Sequence, residues 1–221
     1  TDTPFHRSVK CVLDRIKDGS SKDLVLRIRK ETDKANRNEL KKELPAVCFS
    51  GLFNKRSDAS IQEHSGFICL DFDGYGTKKE MKAERDRLSK DRYVYSVFTS
   101  PSGNGLKALV RIPQDTDNHT NYFNALEKHF NSEHFDTTCK NISRVCYESY
   151  DPLIFINEDS ELWAGVVERD YVEVDVKREV PTIPITDDNK VVDILVKWWT
   201  KKYGLVDGER NANVYKLAMA F

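Results

Sequence analysis

The chain has 221 residues, of which 39% are apolar and 32% charged, and its formal net charge is −1. That length buries a sizeable core in one domain with room for a small appendage, and no apolar run approaches the roughly 18 residues of a membrane-spanning helix. Five cysteines, at 11, 48, 69, 139 and 146, form no CxxC pair, which argues against a zinc site and for free thiols in a reducing cytoplasm.

The sequence opens on TDTPF with no initiator Met, as expected of a piece trimmed from a longer protein. Residues 5–42 are predicted helical, with Phe5, Val9, Val12 and Leu13 on one apolar stripe. Ser20-Ser21 cap a second helix whose buried side is Leu24, Val25 and Ile28. From Arg27 to Lys42 this helix is strongly cationic, and Leu44-Pro45 ends it. Residues 1–66 hold 14 Lys/Arg against 10 Asp/Glu, a net of +4, whereas residues 151–221 hold 9 against 14, a net of −5. A basic front half suits a phosphate backbone, although a solvated helix face explains a mild excess equally simply. Ala46 to Ser50 reads as a short strand, and Asn54-Lys55-Arg56 as a loop.

The stretch from Gly66 to Arg111 carries the chemistry. The apolar run Phe67-Ile68-Cys69-Leu70 ends in Asp71-Phe72-Asp73. Alternation along a strand puts Asp71 and Asp73 on one face, about 7 Å apart. Paired carboxylates repel unless a cation lies between them, and hard Mg²⁺ or Mn²⁺ is the usual occupant. Thr77 and Glu80 form a capping box that starts a helix running to about Lys90. Val94 to Thr99 and Leu106 to Ile112 are predicted strands. Between them Ser100-Pro101-Ser102-Gly103-Asn104-Gly105 is a tight loop whose glycines let N–H groups converge on a polyphosphate. Lys107 follows at the mouth of the next strand. A carboxylate pair beside such a loop suggests nucleotide chemistry.

A further helix spans roughly 117–131, with Phe123, Leu126 and Phe130 at helical spacing. His119, His129 and His134 fall in this region and are expected at the surface. Strands follow at 143–148 and 153–156. The order from 66 to 150 is strand, helix, strand, strand, helix, strand, the split βαβ or ferredoxin-like (RRM-like) pattern of an α+β protein. Its first and third strands would be adjacent and central, which brings Asp71 and Asp73 beside Lys107. Residues 168–188 read as a linker. Lys190 to Tyr203 reads as an amphipathic helix with Trp198-Trp199 in its core, and another helix begins near Asn211.

These residues resemble the archaeo-eukaryotic primase superfamily. Its first motif, hydrophobic-Asp-hydrophobic-Asp, is matched by Leu70-Asp71-Phe72-Asp73, its second by the Ser100–Lys107 loop, and its third, hydrophobic-Asp, by Phe135-Asp136. DTTCKNISRVCYESYDP and the upstream LPAVCFSG are similar to the VirE-type N-terminal branch. Gly208 to Asn211 look like the start of a helical primase C-terminal domain. The resemblance implies a catalytic domain over 1–167, made of an α/β unit at 1–65 and an RRM-like core at 66–160. Residues 189–221 would begin the helical domain, and a helicase domain would follow in the parent chain.

It also implies a DNA primase or primase–polymerase making or extending primers on single-stranded DNA. Asp71, Asp73 and Asp136 would hold two Mg²⁺ or Mn²⁺ ions, one activating a 3′-hydroxyl and the other steadying pyrophosphate. Ser100, Ser102, Gly103, Asn104 and Gly105 would cradle the triphosphate of an NTP or dNTP, with Lys107 and Arg144 neutralising it. Template would pass Lys41, Lys42, Lys55 and Arg56. Lys107 replaces the histidine usual in the second motif, and Asp151 in SYDP is the alternative third carboxylate. Asp71→Ala is expected to leave thermal stability unchanged or raised.

Two other classes fit parts of the pattern. DFDGYGT is similar to the signature of haloacid-dehalogenase-like phosphatases, with Asp71 as nucleophile, Thr99 or Ser100 and Lys107 as later motifs, and Asp187-Asp188 as ligands. A non-catalytic nucleotide- or DNA-binding module of a replication initiator would bind and make no product.

Overall fold

Ser8 accepts the Cys11 amide with its side chain and starts α1, Val9–Asp18, whose Val12, Leu13 and Ile16 are buried. The computed structural model describes residues 5–165, with Asp193 and Lys197 as isolated helical positions beyond them. The expected linker, the helices after residue 189 and Trp198-Trp199 therefore lie outside the described residues. The fold is mixed α+β, with five α-helices and small antiparallel sheets among those residues. None of the described helices is long and apolar enough to cross a membrane. Phe5, expected on the α1 stripe, is 83% exposed.

The long cationic helix is two. After α2, Lys22–Lys30, the chain breaks at Glu31–Asp33, and the Asp33 side chain accepts the Asn36 amide at 2.8 Å to begin α3, Lys34–Lys42. An Asx cap competes with helix continuation when no apolar stripe holds the helix down, and α3 buries no residue.

Strands β1 (Ala46–Val47), β2 (Gly51–Phe53) and β3 (Ile61–His64) precede the main sheet. The β2–β3 hairpin falls in a stretch the sequence presents as loop. The main sheet contains β4 (Phe67–Phe72), β5 (Val94–Thr99), β6 (Leu106–Arg111) and β8 (Phe155–Ile156), all antiparallel, in the order β4-β6-β5-β8. Helices α4 (Lys78–Leu88) and α5 (His119–Phe130) pack against it through Leu88, Phe123, Leu126 and Phe130. The Thr77–Glu80 capping box is formed.

Adjacency of the first and third core strands holds, since β4 and β6 pair along their whole length. Centrality of the first does not. The strand expected at 143–148 shrinks to β7, Cys146–Tyr147, and leaves the sheet to pair with β1. Among the described residues, the other edge of β4 carries an isolated bridge, Phe72 to Phe135. Glu148 explains the diversion. It is buried and binds Arg15 of α1 in a fork at 2.7 and 3.0 Å, so β7 is drawn to the N-terminal helices.

His119 is buried rather than on the surface. Its Nδ1 lies 3.1 Å from His64 Nε2, and His64 Nδ1 accepts the Gly66 amide at 3.0 Å. The chain of bonds places the proton of each neutral ring on Nε2. Burial and the neighbouring His64 hold His119 down at about 4, and burial also lowers His64, against opposing pulls from Asp58 and Asp115. The unfolded chain therefore takes up a proton between about pH 6.5 and 4 that the native state refuses, so stability falls as pH drops through that window. Unfolding free energies from urea titrations across it should decline by up to about 1.4 kcal/mol per pH unit for this one proton, and His119→Gln should flatten the slope. An unchanged slope in the variant would contradict the assignment.

Candidate functional site

Antiparallel register, with Leu70 opposite Ala108 and Phe72 opposite Leu106, sets Asp71 directly opposite Lys107. Their side chains form an ion pair, with 9% and 12% of their side-chain surfaces exposed. Arg144 approaches the other Asp71 oxygen at 3.6 Å. Burial works against the Lys107 ammonium, but Cys146, Asp71 and Cys69 around it raise its pKa and keep it charged. Arg144 Nε is buried without a hydrogen-bond partner, an unmet donor beside the carboxylate that the side chain must move to use.

Asp136 reaches the same place from the segment after α5. Its amide donates to the Asp71 carbonyl at 2.9 Å, and Phe135 ahead of it packs edge-on against Phe72 and Phe123. Burial alone would raise the Asp136 carboxyl. Hydrogen bonds from Cys139 (2.8 Å) and Thr138 (2.7 and 2.9 Å), with Arg144 nearby, outweigh it and hold the group below the usual range. Cys139 also lies 3.5 Å from Asp71 Oδ2. Asp71, Asp136 and Cys139 each offer one ligand atom, all within 4.8 Å of one another. Two carboxylates and a sulfur form a donor set suited to a divalent ion.

Asp73 stands apart from this trio. β4 ends at Phe72, so Asp73 leaves the strand, its amide donating to the His134 carbonyl at 2.8 Å. Protein packed around its carboxyl and the nearby Asp71 charge push it up. Its carboxylate occupies the space a side chain at Gly105 would need, and the Phe72 carbonyl is 3.0 Å from that point. The Ser100–Gly105 loop is thereby clasped against the end of β4 and needs glycine there.

The loop closes on itself. Ser100 N–H donates to the Gly105 carbonyl (2.8 Å), and Gly103 N–H to the Ser100 carbonyl (2.9 Å). With Pro101 second in the turn, this is type I geometry. The Gly103 amide is thus spent inside the loop rather than offered to a ligand. Ser102 and Gly103 are half-buried and Asn104 is exposed.

Asp151 has another role. It is buried, accepts Arg85 at 2.7 Å and the Thr99 amide at 2.8 Å, and fixes the strand that enters the loop. Of the four basic residues expected along a template, Lys41 lies close to Asp73 and Lys107. Burial lowers its pKa first, Arg37 next, with Asp73 opposing. Lys42 pairs with Glu39 at 2.7 Å on the surface, and Lys55 and Arg56 are exposed. Cys139, Arg29 and Lys41 are the site neighbours that sequence patterning misplaces or misses. The Asp136–Cys139 spacing of three was the available signal for the first. His134, expected at the surface, stacks on Tyr75 at 4.1 Å and sits 3.1 Å from the Asp73 carbonyl.

A family model described as BT4734-like, N-terminal domain, matches residues 39–155. The chain belongs to that family. The matched segment contains Asp71, Asp73, the loop, Lys107, Asp136 and Arg144, while α1 and α2 precede it. Among curated proteins no significant match is found. Among solved structures, the chain is similar to the AEP domain of the Cyanophage S-2L primase-polymerase (PrimPol), with a TM-score of 0.40 and 19% identity over 60% of this chain and 72% of that one.

The Asp71–Lys107 pair reverses the expectation for Asp71→Ala. Removing one partner strands a charge in a largely dry place, which costs about 3 kcal/mol or more. Asp71→Ala should lower the thermal midpoint, and Asp71→Ala/Lys107→Met should recover most of the loss. A single variant as stable as the parent would show that the pair carries no folding energy.

Proposed function

We propose that this domain is a metal-dependent nucleotidyltransferase of the primase or primase–polymerase type. The observation that carries this reading is the meeting of Asp71, Asp136 and Cys139 with Lys107 and Arg144 at the foot of the glycine loop. The match of Leu70–Asp73, Ser100–Lys107 and Phe135-Asp136 to primase motifs supports the same conclusion.

Charge balance sets how ligands enter. Asp71, Asp73 and Asp136 face Lys41, Lys107 and Arg144, three against three. Divalent cations alone upset that balance, and so does a triphosphate alone; two divalent ions and one ionised triphosphate together preserve it. Metal and nucleotide affinities are therefore coupled and reciprocal. With phosphates bound, Lys107 and Arg144 would turn to them from Asp71, and Asp71 and Asp136 would be the residues that hold the metal. Bound divalent ions supply a lowered pKa at the attacking 3′-hydroxyl and positive charge at the leaving pyrophosphate. The loop, with Ser100, Ser102, Asn104 and Gly105, orients the triphosphate, and Asp73 braces Gly105. Burial and the hydrogen bond to Asp136 raise the Cys139 thiol above its ordinary pKa, so it donates to the two carboxylates and steers them. Lys41 leads from the site toward single-stranded template.

The substrates are NTPs or dNTPs, and a helicase domain downstream in the parent chain would supply the template. The phosphatase alternative relies on Asp187-Asp188, outside the described residues. The binding-module alternative draws support from one observation, the Asp71–Lys107 ion pair, in which the protein's own lysine neutralises Asp71.

Primer synthesis and extension on single-stranded DNA, with each nucleotide set and Mg²⁺ or Mn²⁺, tests the proposal. Asp136→Asn is the informative variant, because Asp136 is not the ion-pair partner of Lys107. Its turnover should fall more than about a hundredfold, beyond the usual loss from an outer-shell residue, while the fold persists. Nucleotide binding without product under either metal would favour the binding module, and full activity in Asp136→Asn would refute the metal assignment.

A further inference from the structure

Arg29 lies on α2, outside the segment the family model matches. Its side chain nonetheless runs along the glycine loop. Nη2 donates to the Tyr150 carbonyl at 2.9 Å, the Ser100 carbonyl at 3.2 Å and Ser149 Oγ at 3.4 Å. Cγ, Cδ and Nε each lie 3.2 Å from where a Gly103 side chain would begin, and Gly103 has φ +77°. Glycine is required there twice over, by the backbone angle and by the arginine. Arg29 Nε is buried and makes no hydrogen bond, so no ligand reaches it as the loop stands.

A guanidinium that spends its donors on the carbonyl at the start of the turn and on the carbonyl of Tyr150, rather than on a carboxylate, fixes backbone geometry. Ser149 continues the brace by donating to the Thr99 carbonyl at 2.6 Å. Asp151 completes it through the Thr99 amide. The loop thus rests on a layer made by α2 and residues 149–151, and only α2 lies outside the family segment.

We infer that Arg29 is a positioning residue that presets the Ser100–Gly105 loop for the phosphates, making the N-terminal helices part of the nucleotide site. The inference rests on the proposed nucleotide reading for its functional consequence, but not for its structural one. Ordering the loop beforehand removes an entropy cost from binding. The effect therefore belongs to nucleotide affinity and leaves the chemistry at Asp71 and Asp136 alone. Lysine does not reproduce Arg29, because its ammonium can meet the acceptors of Nη2 but it has no planar Nε–Cζ portion to pack along Gly103.

Arg29→Lys in the full chain tests this, with Arg29→Met as a second variant. The nucleotide KM should rise about tenfold, equivalent to about 1.4 kcal/mol, with kcat at saturating nucleotide within about twofold. Hydrogen exchange at residues 102–105 should quicken in Arg29→Lys without nucleotide, while the β4 and β6 amides keep their protection. Parallel loss of kcat, KM and thermal stability would mark a general structural role and overturn the inference. So would loop exchange identical to that of the parent. If the parent itself binds no nucleotide under any metal, the functional reading fails. The exchange measurement then still decides whether Arg29 sets the loop.

Discussion

The site is built on one cross-strand ion pair. Antiparallel pairing of β4 with β6 sets Asp71 opposite Lys107, and their burial makes each the condition for the other's charge. Once Lys107 is fixed, so is the loop that ends two residues before it. Phe72 and Phe135 then fix Asp71 and Asp136 in turn, because each aromatic neighbour is locked in the core edge-on to the other. The catalytic proposal treats this pair as a resting state. On that reading Lys107 would leave Asp71 for the phosphates, and the freed carboxylate would then be open to a metal.

Much of the core was legible because its signals are local. β5, Val94–Thr99, is bounded by turn residues and filled with β-formers, and its limits agree with expectation to the residue. The Thr77–Glu80 box announces α4. Where signals were non-local, the sequence misled. ETD looks like three polar residues in a cationic helix until Asp33 is seen capping α3. IQEH carries too little apolar pattern to declare β3. The segment around Cys146 contains a strand, but Arg15 of a distant helix decides which sheet it joins.

The site divides the same way. Asp71, Lys107 and the loop could be placed because strand alternation and hairpin register are arithmetic. The even spacing also placed Asp73 with Asp71; β4 ends between them, so Asp73 stays near Asp71 but turns against Gly105. Asp136 and Asp151 are both acids near the right place in sequence, and only packing separates the one facing Asp71 from the one bound to Arg85. Cys139, Arg29 and Lys41 arrive through tertiary contacts that no periodicity encodes. His64 and His119 likewise lie 55 residues apart in sequence.

The central claim is that the acidic group at the foot of the loop exchanges its internal cations for a metal–nucleotide pair. Manganese anomalous diffraction from crystals grown with a nucleoside triphosphate measures this directly. A manganese peak bonded to Asp71 and Asp136 is expected, with Lys107 and Arg144 turned onto phosphates lying along Ser100–Gly105. Lys107 still bound to Asp71, with manganese absent from between the carboxylates, would contradict it.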